Sequence, residues 1–196
     1  MQRLVLASTS PRRVRMLKRL GVEFEQIASC FCEPAHDGRT SAAEYVQANA
    51  RGKADRVAAQ VTSGLVIGCD TIVVYRRRVL GKPATRSDAR EYLRLLRGKT
   101  HAVYSGLCII DADSGVVCCD YEKTLVRFRG ISDAELDSYL AAINPMDKAG
   151  AYAIQGAGAI IVSGISGCYY NVVGFPLAKL EQLLELCGVS LFDYMM

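Results

Sequence analysis

The stretch that decides the fold is Leu4–Gly21, LVLASTSPRRVRMLKRLG. Three consecutive apolar residues suit a buried strand, and Ser8, Thr9 and Ser10 then interrupt the run. Pro11 sets a helical φ at a position where its missing N–H costs nothing, and Gly21 ends the periodic segment. Residues 2–7 therefore read as a strand and 11–20 as a helix, with Ser10 as N-cap. Val14, Leu17 and Leu20 form its apolar stripe, and Arg12, Arg13, Arg15, Lys18 and Arg19 are expected to face away from it. The turn between strand and helix gathers backbone N–H groups, the positive end of a helix dipole, the Ser8 and Ser10 hydroxyls and two guanidinium groups. Such a combination suits an anion. A helix cap with solvated arginines accounts for the same residues.

The rest of the chain continues in mixed order. A short strand is expected near 23–28, then a helix over 41–60 opened by Ser41 and Glu44 in capping-box spacing. GLVIGCDTIVVYRRRVLGKP, 64–83, reads as a buried strand, a sharp change at Asp70, and a hairpin turning at Tyr75–Arg78. A helix follows over 86–97, then strands over 101–111 and 116–128 joined by the turn DADSG. A helix over 132–142, a loop over 143–157, a hairpin broken by Gly164 and Gly167, and a helix over 176–187 complete the reading. Long hairpins among helices argue for a mixed sheet rather than uniform βαβ winding.

Composition narrows the class. The chain has 196 residues, 51% of them hydrophobic, enough for one α/β domain or two small lobes sharing a core. It has no apolar run of membrane-spanning length and no signal peptide, so the cytoplasm is the expected location. The eight cysteines form no CxxC pair, and they are expected to be reduced, mostly buried thiols; Cys30 and Cys32, beside a loop, are the least inert. Residues 1–100 hold 19 Lys/Arg against 9 Asp/Glu, and the remainder 5 against 11. A basic half of this kind wants an anionic partner. The triplet Arg76–Arg78 has no aromatic ladder beside it and reads as a solvated turn rather than a nucleic-acid patch. His101 has no nucleophile motif to serve.

Four further places carry candidate chemistry. Asp70 ends an apolar run, where a carboxylate is costly without a partner; it suits metal binding or proton abstraction, or caps a turn. Lys82, between Gly81 and Pro83, offers a point charge without a phosphate-loop motif around it. DKAGAYAIQGAG, 147–158, offers a close-fitting loop with Gln155 able to donate to and accept from a base. Glu33 and Lys53 are isolated charges beside apolar neighbours, which by themselves suit a solvated surface.

In order and spacing, LVLASTSPRR, GCDTIVVYRRRVLGKP, LRGKTHAVYSG, EKTLVRF and PMDKAGAYAIQGAGAIIVSGISGCYYNVVGFPL resemble the Maf family of nucleotide pyrophosphatases, the septum-formation-inhibitor-like proteins. The resemblance spans nearly the whole chain, 1–196, as a single domain of two lobes. It implies an extended mixed sheet flanked by helices around a central cleft, related to the inosine triphosphate pyrophosphatases. The implied activity is hydrolysis of a nucleoside triphosphate to monophosphate and pyrophosphate with Mg²⁺, Mn²⁺ or Co²⁺. Its wording at GxDTIVV and KAGAYAIQG is similar to the branch acting on dTTP and UTP. By the same resemblance Asp70 is the proton acceptor and, with Glu33, a metal ligand, and Lys82 is catalytic. Ser8, Arg12, Arg13, Lys53, Thr71 and Gln155 would bind substrate. A cytoplasmic homodimer, with neither nucleic acid nor membrane as partner, is implied too. The rival reading is a nucleotide-binding regulator of septum formation with little turnover.

Overall fold

The computed structural model describes residues 2–195. It holds the strand–turn–helix unit that opens the chain: β1 (Leu4–Leu6), fully buried, leads into α1 (Pro11–Arg19). Strand β2 (Glu25–Gln26) follows, then α2 (Ala42–Ala58), opened by the Ser41–Glu44 capping box. The next elements are β3 (Leu65–Tyr75), β4 (Arg78–Leu80) and α3 (Arg86–Leu96). Strands β5 (Thr100–Asp111) and β6 (Val117–Phe128) precede α4 (Asp133–Ala142). After them come α5 (Gly158–Ile161), β7 (Val162–Ser166), α6 (Tyr169–Val173) and α7 (Leu177–Leu186).

Seven strands form one mixed sheet in the order β2-β1-β3-β5-β6-β7, with β4 paired to β3 off that path. Strand β1 is parallel to β2 and to β3, with Val5 opposite Glu25 and Val66. Pairs β3–β4 and β6–β7 are antiparallel.

The chain divides into two units. One comprises residues up to Asp70, Ser105–Glu122 and those from Gly174 onward; the other comprises Thr71–Tyr104 and Lys123–Val173. In the first, α2 lies on β1, β3 and β5 through Ala50, Ala54 and Val57 against Val5, Val66, Cys108 and Ile110. Backbone and helix meet closely there. A Cβ on Gly68 would run into the Ala50 carbonyl, and one on Gly106 into that of Val46. In the second, α3 and α4 cover a core of Leu93, Leu96, Phe128, Leu136 and Tyr152. His101 is buried in it, bonded to the Tyr152 hydroxyl at 2.8 Å. Burial pushes its imidazole down to about 4, so it stays neutral and structural.

The structure departs from the sequence reading in five places. Asp70 does not end its strand; β3 runs unbroken through it to Tyr75, because the carboxylate finds buried partners. The hairpin expected around Gly164 and Gly167 is the single strand β7 between α5 and α6. Gly167, at φ 121°, leaves that strand against Thr124, and Asn171 pins α6 by donating to the Val103 carbonyl and Thr124 Oγ1. The loop over 143–157 contains a 3₁₀ turn at Ala149–Ala151. The cysteines are not all reduced: Cys108 on β5 is disulfide-bonded to Cys119 on β6, brought face to face by the turn at 112–116. Nor are they mostly buried. Of the free ones Cys69 is buried, Cys30 and Cys32 are exposed, and Cys118, Cys168 and Cys187 lie between.

The charge asymmetry is partly answered within the protein. Arg90 forks onto Asp137 at 2.6 and 2.8 Å, while Arg94 and Arg97 each reach Asp133 at 2.6 Å. These basic-half residues serve the α3–α4 packing rather than an external anion.

The β3–β4 turn is made by Arg76 (φ 48°) and Arg77 (φ 68°), both left-handed and exposed. Two-residue hairpin loops of this hand favour Asn-Gly, since other side chains are strained there. The double substitution Arg76→Asn, Arg77→Gly is expected to stabilise the protein by about 1–2 kcal/mol. The result to look for is a thermal midpoint several degrees higher; an unchanged midpoint would count against strain in this turn.

Candidate active site

Residue 13 lies three and four positions before Met16 and Leu17, so α1 carries Arg13 on the face it buries rather than in solvent. Arg13 is 8% exposed, and its guanidinium donates in three directions. Nε reaches the Gly174 carbonyl at 3.0 Å; Nη1 reaches Ser8 Oγ at 3.1 Å and the Cys69 carbonyl at 2.7 Å. Ser8 Oγ also accepts from the Ser10 backbone N–H at 3.2 Å. Ser10 occupies the N-cap position but makes no side-chain cap bond, so Ser8 braces the turn in its place.

Helix α2 supplies the next two groups. Its buried stripe, Val46, Asn49, Ala50, Lys53, Ala54 and Val57, follows helical spacing with two polar residues in it. Both point at β3. Lys53 Nζ donates to Asp70 Oδ1 at 2.7 Å, and Asn49 Nδ2 to Asp70 Oδ2 at 3.0 Å. Lys53 Nζ also lies 2.6 Å from Glu33 Oε1, contributed by the exposed segment before α2. Glu33 and Lys53 are therefore partners, and only Glu33 faces solvent.

Asp70 is 5% exposed, and its protonation follows from competing influences. Burial pushes the carboxyl up. The Lys53 charge, the hydrogen bonds from Lys53 and Asn49, and the Arg13 charge outweigh that and hold it below the usual aspartate value. It is ionised at neutral pH. Asp70 thus presents an anionic oxygen pair held by a lysine, an amide and a nearby guanidinium, in line with metal binding or with orienting a water.

Ser8, Arg13, Glu33, Lys53 and Asp70 are joined by hydrogen bonds and ion pairs within one unit of the chain. Arg12, half-buried, opens α1 beside them in sequence. The remaining candidates belong to the other unit. Thr71 follows Asp70 on β3. Lys82 is exposed on the turn after β4, and the Gly150 N–H donates to the neighbouring Gly81 carbonyl at 3.0 Å. That bond ties the 147–158 loop to the Lys82 turn. Gln155 lines a pocket of about 440 Å³ together with Gly156, Ser163, Gly164 and Tyr169. Sequence reasoning missed Asn49 and the Gly174 carbonyl. Asn49 was findable as a polar residue inside an otherwise apolar helical stripe, four residues before Lys53.

A family model described as "Maf-like protein" matches residues 3–187. The chain belongs to the Maf family. Curated relatives named "dTTP/UTP pyrophosphatase" match it over nearly its whole length. That of Clostridium botulinum (strain 657 / Type Ba4) is 44% identical over 194 residues, covering 97% of this chain and all of the relative. That of Pelotomaculum thermopropionicum is 45% identical over 190 residues, covering 97% of this chain and 99% of the relative. Among solved structures, a nucleoside-triphosphatase, dITP/XTP pyrophosphatase, from Mycobacterium abscessus aligns with 64% of this chain and 72% of its own at 14% identity and a TM-score of 0.42.

Proposed function

We propose that this Maf protein hydrolyses dTTP and UTP at the α–β phosphoanhydride, releasing the nucleoside monophosphate and pyrophosphate. What carries the proposal is the buried, ionised Asp70 bracketed by Lys53 and Asn49, in a chain that matches pyrophosphatases of that name over their full length.

Asp70 and Glu33 converge on one cationic centre, the Lys53 ammonium, at 2.7 and 2.6 Å. Among the described residues no third carboxylate, imidazole or thiol completes a protein-only metal cage. Two hard carboxylates of this kind fit Mg²⁺, Mn²⁺ or Co²⁺, which complete their shell with substrate phosphate oxygens and water. Held by Asp70 and Glu33, the ion would neutralise charge on the triphosphate.

Asp70 orients the attacking water by accepting its hydrogen bond. As oxygen bonds to the α-phosphorus, the bond to the α–β bridging oxygen breaks and pyrophosphate leaves with the electron pair. Asp70 then accepts the water's proton, the role the family resemblance gives it. Lys82 meets the charge developing on the leaving pyrophosphate and Arg12 binds phosphate oxygens, while Lys53, its ammonium shared by Asp70, Glu33 and the Cys69 carbonyl, holds the two carboxylates in place. Arg13 and Ser8 act by fixing the turn, since their polar atoms are engaged with protein partners. Thr71 and Gln155 select the pyrimidine, with the Gln155 amide matching a base edge. By family resemblance the protein works as a cytoplasmic homodimer, for which sedimentation analysis is the check.

The experiment is a turnover panel: purified protein, Mg²⁺, and the common nucleoside triphosphates, with pyrophosphate and orthophosphate measured separately. One pyrophosphate per dTTP or UTP consumed, with purine nucleotides much slower, is expected. Nucleotide bound without pyrophosphate release would establish the regulator instead, and orthophosphate release would establish a different bond as the target.

A further inference from the structure

Helix α4 buries Leu136, Tyr139 and Leu140 at helical spacing. Of the three only Tyr139 has a polar side-chain atom, and that atom leaves the helix for the loop before α5. Its hydroxyl accepts from the Ala153 N–H at 3.2 Å and donates to the Ala153 carbonyl at 3.4 Å. Burial pushes the phenol above its ordinary value, so the hydroxyl keeps the proton it donates. Two more constraints bear on the same segment. Tyr152, the residue before, is held by its bond to His101. A Cβ on Gly158 would run into the Ala153 carbonyl, so glycine lets the start of α5 close over it. The Gly158 N–H then donates to the Gln155 carbonyl at 3.2 Å. Ala153 is thus clamped between α4 and α5, and Gln155, two residues on, is fixed on both sides along the chain. The Gln155 side chain is exposed and lines its pocket beside Ile154, Ser163 and Tyr169.

We propose that Tyr139 is a positioning residue for base selection: by clamping the Ala153 peptide it holds Gln155 where the amide pairs with the edge of uracil or thymine. This role rests on Gln155 reading the base, as proposed above. Uracil and thymine present a carbonyl at position 4 and an N–H at position 3, whereas cytosine presents an amino group and a bare ring nitrogen there. A glutamine amide donates to the carbonyl and accepts from the N–H. Both bonds depend on where the backbone behind the amide sits, because hydrogen bonds weaken steeply as their geometry departs from ideal. Released from the clamp, the amide shifts and turns over. Turned over, it donates to the ring nitrogen of cytosine and accepts from the amino group, so the preference between the two bases falls.

The test is Tyr139→Phe in the full chain, which keeps the ring in the core and removes only the hydroxyl. UTP hydrolysis is expected to lose about tenfold in kcat/KM, carried by KM with kcat unchanged, while CTP hydrolysis does not fall. The preference for UTP over CTP therefore drops by about the same factor. Backbone amides of 153–156 are expected to exchange with deuterium faster, and those of α4 at their former rate. Gln155→Ala supplies the reference: adding Tyr139→Phe to it is expected to change neither KM nor the base preference further. An unaltered preference in Tyr139→Phe, a loss in kcat instead of KM, or a full Tyr139→Phe effect on top of Gln155→Ala would overturn the positioning role alone. A Gln155→Ala protein that keeps the preference would remove Gln155 from base reading, a failure visible with Tyr139 intact, and the role of Tyr139 would fall with it.

Discussion

Asp70→Asn is expected to lower pyrophosphate release from dTTP by about 10³-fold while leaving the protein folded and able to bind nucleotide. The magnitude follows from what one positioned carboxylate contributes to proton handling, between about 10² and 10⁴. The substitution is nearly isosteric, and its oxygen still accepts from Lys53. What it removes is the negative charge that Lys53, Asn49 and Arg13 are arranged to stabilise. With its oxygen on Lys53, the carboxamide must place its N–H₂ group against the Asn49 amide donor, so a modest fall in thermal midpoint accompanies the loss of turnover. Nucleotide affinity measured by calorimetry separates the two effects. A variant that still turns over dTTP at a tenth of the wild-type rate or better would remove Asp70 from the reaction.

The parts of this protein that sequence reveals are those governed by nearest neighbours. Pro11 and Gly21 bracket α1, Ser41 and Glu44 open α2, and the Asp111–Gly115 turn separates β5 from β6; each is a local rule satisfied locally. Arg13 was also within reach, since it precedes Met16 and Leu17 by the spacing that places residues on one helix face. A count of apolar letters passes over an arginine on that stripe. Asp70 illustrates a different limit. A carboxylate in an apolar run resembles a strand end unless its partners are known, and those partners, Lys53 and Asn49, lie 17 and 21 residues away on another element. The Cys108–Cys119 bond likewise depends on strand register, which no cysteine spacing announces. The roles of Glu33 and Thr71 came from family resemblance alone, because nothing local to those residues distinguishes them, whereas Gln155 stood out as an amide in a Gly/Ala-rich loop.

Lys53→Met tests the other half of the central ion pair, and here the larger expected effect is on stability. Methionine fills the lysine's volume within the buried stripe of α2 but strips Asp70 of its nearest cation. Removing one partner of a buried pair costs about 3–5 kcal/mol, because the remaining charge stays desolvated. In the native protein the folded carboxyl lies below the ordinary aspartate value of 3.8, so its stabilisation is present above that value and is lost as pH falls through the lower folded one. Without Lys53 burial dominates and the carboxyl moves upward. The sign then reverses: the deficit of Lys53→Met is greatest near neutral pH and shrinks as acid protonates Asp70. Urea unfolding at pH 7 and pH 5 measures this directly. Combining Lys53→Met with Asp70→Asn is expected to restore much of the loss, since the double variant has no buried unpaired charge. If Lys53→Met unfolds at the wild-type urea concentration, or if adding Asp70→Asn deepens the loss by its full separate cost, the two residues are not energetically coupled, and the cluster does not hold an ionised Asp70 ready for catalysis.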